Sequence, residues 1–121
     1  MLNKELVITL NKAEESQLKT KPDQNKLGFG VHFTDHMFVM HWNRELGWHN
    51  AEICAYQNFS LDPAAMVFHY GQEIFEGLKA YRRPDGGVNL FRPQENMKRF
   101  NRSAERMVMP VVWVSNCLNI S

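Results

Sequence analysis

Residues 83–87 read RPDGG and stand between two short apolar runs, 78–82 and 88–92. An Asp-Gly pair in that setting is a strong local signal for a tight hairpin, because glycine takes the positive φ the turn demands. Pro93 follows at once, at a first-turn position where a helix needs no amide donor. Beyond it Met97, Phe100, Ala104 and Met107 recur at helical spacing as an apolar stripe, and Pro110 closes the run. A hairpin feeding an amphipathic helix is thus fixed by local chemistry. With the strands upstream it makes the chain α+β, mostly antiparallel.

Upstream, residues 6–10 (LVITL) are a short apolar, β-branched run, and residues 11–26 contain almost nothing apolar. That polar stretch reads as a mobile linker or arm. Residues 31–43 are aromatic and β-rich, long enough for a strand or a bent pair of strands. Phe33, Met37 and Val39 fall on one face and Phe38, Met40 and Trp42 on the other, so partial cover on both sides is expected. Residues 44–50 turn the chain, and 52–61 read as a further strand that Asp62 and Pro63 end, since proline has no amide hydrogen for a ladder.

With 121 residues the chain fits one domain with a core of its own. A net charge of +1 supplies no broad field to attract nucleic acid or an anionic membrane. The longest apolar run, 107–114, is interrupted by proline and too short to span a bilayer. No charged segment followed by an apolar one opens the sequence, so no signal peptide is expected. Cys54 and Cys117 stand far apart with no second pair, which excludes a CxxC-type zinc site and favours reduced thiols in the cytoplasm.

The densest chemistry lies in HYGQEIFEGLKAY, residues 69–81. Lys79 could form a Schiff base only if desolvated and neutral, yet it begins a hairpin strand beside Arg82 and Arg83, where a charged, exposed lysine is the plainer reading. His32, His36, His41, His49 and His69 have no metal-ligand spacing, so no metal is expected. Glu73 and Glu76 could share a helical face, but no nucleophile pairs with them. On the helix, Arg99, Arg102 and Arg106 recur at three and four; such a stripe is a solvated face unless one arginine forks onto a phosphate or carboxylate. No GxSxG, P-loop or GxGxxG is present. The candidates reduce to an aromatic turn around Tyr70 and Phe75 and one arginine on the following helix: half a binding pocket.

Three segments carry a resemblance. FGVHFTDHM, HYGQEIFEGLKAY and LFRPQENMKRFNRSAERMVMP, in that order and spacing, closely resemble the N-terminal domain of branched-chain amino acid aminotransferases, pyridoxal-phosphate enzymes of the class IV fold group. The likeness runs over residues 27–110. It divides the chain into an N-terminal segment and polar linker (1–26), a small-domain portion (27–110) and a divergent tail (111–121). The resemblance implies that Arg99 binds the cofactor phosphate, and that Phe29, Tyr70 and Phe75 line the pocket for the substrate side chain. Branched aliphatic groups offer nothing to hydrogen-bond, so an apolar box is the discriminating device available.

The resemblance also implies a homodimer in which Tyr70 reaches the neighbouring subunit's pocket, and a structural role for Glu76 and Gly77. The family's Schiff-base lysine falls beyond residue 121 and Lys79 does not match it, so no catalytic residue is expected in this chain. The tail VVWVSNCLNIS departs from the family pattern, as a truncation or frameshift would make it. The expectation is an N-terminal fragment of a transaminase acting on leucine, isoleucine or valine with 2-oxoglutarate, itself inactive. The alternatives are a non-catalytic module that pairs with a full-length subunit, or an inactive truncation product.

Overall fold

The computed structural model describes residues 6–112, which fall into two compact units divided between Ser60 and Leu61. The first unit is a three-stranded sheet in the order β1-β3-β2, with β1 Ile8–Asn11, β2 His36–Asn43 and β3 Gly47–Ala55. β3 is central, antiparallel to β2 and parallel to β1. Two of the three strand pairings in the described residues are antiparallel, so the chain is α+β with one mixed sheet and one antiparallel ribbon.

The β2–β3 connection is shorter than the sequence suggests. Asn43 Oδ1 accepts from the amides of Glu45 at 3.0 Å and Leu46 at 2.7 Å, so the side chain closes the turn itself. Gly47 then takes φ +65, and the strand starts there, not at residue 52. It also stops early: β3 ends at Ala55, and residues 56–61 are irregular where a strand was expected. The register slips between Val39 and His41, where Asn50 and Ala51 together face Met40. Asn50 sits in the left-handed region at φ 51, as a bulge residue can. Cover of β2 is correspondingly partial: Met37, Val39 and Met40 are half-buried, while Phe38 and Trp42 are exposed. The buried residues of the unit are small, Ala51 and Cys54 on the central strand.

Part of the stretch read as a mobile arm is tied to β2 and its approach. A capping box between Glu14 and Gln17 folds Glu15–Gln17 into one 3-10 turn. The Ala13 amide donates to His36 Nε2 at 3.1 Å, and the Lys19 amide to Asp35 Oδ1 at 3.0 Å. Lys19 Nζ reaches the carbonyls of Phe33 and Thr34 and stands 5.2 Å from the Tyr56 ring centre. A polar composition did not mean a free segment here; its amides found side-chain acceptors and the Lys19 ammonium found backbone carbonyls.

In the second unit, α1 (Met66–His69) is a single turn that the sequence reading missed, followed by Gly71 at φ +56. β4 (Ala80–Arg82) and β5 (Val88–Leu90) form the expected hairpin, each strand shorter than the apolar run containing it. Gly86 at φ +87 makes the turn, and Asp85 accepts from the Gly87 amide at 3.0 Å and from the Arg83 guanidinium. α2 (Pro93–Arg106) starts where Pro93 predicts. It ends before Pro110: Val108 turns left-handed at φ 55, and the Met109 amide bonds back to the Ala104 carbonyl at 2.8 Å. Of the stripe residues Ala104 is fully buried, with Met97, Phe100 and Met107 half-buried. Asn101 clasps the chain beyond the helix, accepting from the Val112 amide at 2.9 Å and donating to its carbonyl at 2.7 Å.

Candidate functional site

α2 exposes Arg99, Arg102 and Arg106, and of these Arg99 is the one that forks onto a carboxylate. Its Nε donates to Glu76 Oε2 at 2.8 Å and its Nη2 to Glu76 Oε1, a two-point grip that suits the planar guanidinium. Asn96, one turn earlier on the helix, donates from its amide to Glu76 Oε1 at 3.0 Å and to the Gly77 carbonyl at 2.8 Å. The Arg99 guanidinium, then the Asn96 amide, hold the Glu76 carboxyl down at about 2. The same carboxylate raises Arg99 above its ordinary range, so both groups are charged throughout neutral pH. Exposure is unequal: the Glu76 side chain is 7% exposed and that of Arg99 61%.

The loop that carries Glu76 is anchored at its start by Gln72, whose side-chain amide donates to the Met107 carbonyl at 2.9 Å at the end of α2. The aromatics beside these ties face outward: Tyr70, just before Gln72, is 78% exposed, and Phe75, just before Glu76, 90%. Phe29 belongs to the first unit and is fully exposed, on a turn between Gly28 and Gly30, both at positive φ. Lys79 is exposed just before β4. The second unit therefore brings Arg99 together with Glu76 and leaves the surfaces of Tyr70 and Phe75 open.

Asn96 was missed by the sequence reading. Its signal was its place three residues before Arg99, a spacing that puts both side chains on one helix face. Elsewhere, His41 and His49 face each other across β2 and β3 with ring centres 6.2 Å apart. Among the described residues no three His, Cys, Asp or Glu side chains gather as metal ligands. Cys54 is a buried free thiol, and Cys117 lies outside the described residues. An open cavity of about 580 Å³ in the first unit is lined by Met37, Phe38 and residues 56–59, without a charged side chain. Among the described residues no helix is long and apolar enough to cross a membrane.

No family model matches the chain. It is 60% identical over 92 residues to branched-chain-amino-acid transaminase 1 of Bacillus subtilis, an alignment covering 76% of this chain and 26% of that protein. It is 52% identical over 100 residues to the cytosolic branched-chain-amino-acid aminotransferase of Saccharomyces cerevisiae, covering 82% of the chain and 27% of the relative. The cytosolic branched-chain-amino-acid aminotransferase of Rattus norvegicus is 50% identical over 107 residues, with 88% and 25% covered. Identity of this order over most of the chain sets it among the aminotransferases by sequence. Within that class it belongs to the branched-chain-amino-acid aminotransferase family, and it spans about a quarter of the length of the curated relatives it matches.

Proposed function

We propose that this chain is the N-terminal portion of a branched-chain amino acid transaminase of the class IV fold group. The complete enzyme moves the amino group between leucine, isoleucine or valine and 2-oxoglutarate, works in the cytoplasm as a homodimer, and uses pyridoxal 5'-phosphate. The observation that carries the reading is the 60% identity to the Bacillus subtilis transaminase over 92 residues.

Arg99 fits a phosphate. An arginine has five N–H donors, and Glu76 takes one from Nε and one from Nη2. The rest remain on a side chain that is 61% exposed. When bound, the cofactor supplies the electron sink. The contribution of this chain is binding and selection. Arg99 neutralises the phosphate, and Tyr70 and Phe75 offer apolar faces that shed water and accept an aliphatic side chain. Phe29 is proposed for the same apolar role. Tyr70, 78% exposed on its own unit, suits a residue that serves a neighbouring subunit.

Two experiments test this. The purified 121-residue chain, given pyridoxal phosphate, leucine and 2-oxoglutarate, is expected to form no glutamate, and turnover would refute its dependence on the rest of the enzyme. Residues 27–110 grafted in place of the matching part of the Bacillus subtilis relative should support transamination of leucine over D-alanine. A folded graft that prefers D-alanine would overturn the substrate assignment.

A further inference from the structure

The fork between Glu76 and Arg99 is closed from a third side. Both Glu76 oxygens are engaged, Oε2 by Arg99 Nε and Oε1 by Arg99 Nη2 and the Asn96 amide. The same Asn96 amide holds the Gly77 carbonyl, so the backbone just after Glu76 is fixed to the helix as well. The burial is unequal: the Glu76 side chain is 7% exposed, and the Arg99 side chain that grips it is 61% exposed. Nε and Nη2 form the inner edge of the guanidinium plane, and its remaining donors lie on the other sides.

An isolated arginine on a helix face is a long, rotamer-rich side chain that must be ordered at the moment it binds an anion. A carboxylate beneath it has two opposed effects on such binding. Its charge repels the anion, an effect that solvent weakens because the anion approaches the exposed side. Its grip orders the guanidinium in advance. We propose that the second effect wins: Glu76 is a positioning residue, with Asn96 as its clasp, that presents the outer edge of Arg99 to a phosphate group. This rests on Arg99 being the phosphate ligand.

The test uses the whole 121-residue chain labelled with 15N on arginine, with inorganic phosphate as the probe. Two quantities are read at neutral pH: the heteronuclear NOE of the Arg99 Nε–H, and the phosphate affinity from its shift during titration. In the unaltered chain the Arg99 Nε–H should be as ordered as the backbone and more ordered than that of Arg102. In N96A, which keeps both charges, and in E76Q, the NOE should fall and phosphate binding should weaken by about tenfold, the size of one charge-assisted hydrogen bond. Tighter binding by E76Q with no change in N96A would show that Glu76 only competes with the anion, and would overturn the proposal. R99M separates the two levels. If R99M binds phosphate as the unaltered chain does, or if the unaltered chain does not bind it, Arg99 is not the ligand and both readings fall. If R99M loses binding while E76Q and N96A keep it, the positioning role alone falls. N96A carries the test if E76Q fails to fold, and circular dichroism of each variant shows which have folded.

Discussion

The two units are held together by different means. The first is a backbone ladder trimmed by short-range side-chain bonds: Asn43 closes its turn, and Lys19 and His36 tie the preceding segment to the strand end. The second has a two-stranded ribbon of three residues per strand, a single helical turn and one longer helix, and its long-range order comes from side chains: Gln72 to Met107, Asn96 to Glu76 and Gly77, Arg99 to Glu76. Arg99, the proposed phosphate ligand, thus belongs to the unit whose long-range order rests most on side chains. A ladder can build a scaffold, but the Arg99 guanidinium is held by another side chain.

That contrast can be broken at its two smallest buried residues. Ala51 on β3 is 2% exposed and Ala104 on α2 is 0% exposed, so neither site has room for added methyl groups. Ala51→Leu and Ala104→Leu should each destabilise the chain by about 1–3 kcal/mol in urea unfolding, the range for overpacked sites. If the units are held separately, Ala104→Leu should loosen Arg99 while the amides of β3 keep their protection from hydrogen exchange. Gly86→Ala comes next: at φ +87 an added Cβ strains the hairpin turn, with an expected cost of about 1–2 kcal/mol in the same experiment.

A pH titration sharpens the comparison further. Glu76 has its carboxyl lowered from 4.5 to about 2. A lowered carboxylate contributes stability that is fully present above its unfolded value and is lost as pH falls through the folded one. The Glu76 contribution should therefore decline between pH 4.5 and about 2. E76Q should flatten that part of the curve of melting temperature against pH, and an unchanged acid limb would contradict the pairing. The smallest effect is expected at Lys19→Met, which removes the bonds to Phe33 and Thr34. Amide exchange at Ala13 and Lys19 should quicken while global stability moves by about 0.5–1 kcal/mol.

How far the sequence was legible follows the same divide. The Asp85-Gly86 turn and the helix start at Pro93 depend on residues that touch their immediate neighbours, and both were readable. The start of β3 at Gly47 was not, because Asn43 makes the turn tighter than composition alone implies. The apolar residues on both sides of β2 suggested partial cover, and Met37, Val39 and Met40 are half-buried, but nothing local announced the bulge opposite Met40. Parallel pairing of β1 with β3 joins residues more than forty positions apart, and no local signal announces it. At the site, the resemblance singled out Arg99 from the arginine stripe, but the reason for its geometry lay in Glu76, 23 residues away, and in Asn96.

The central claim is that one arginine of that stripe, the one gripped by Glu76, holds the cofactor phosphate. It is tested most directly by equilibrium binding of pyridoxal 5'-phosphate to the Bacillus subtilis graft carrying R99M or R102M. The account predicts that R99M weakens binding by about tenfold or more, the loss expected for a charged, two-point phosphate contact, while R102M binds as the parent does. Equal affinity in the two variants, or a larger loss in R102M, would contradict it.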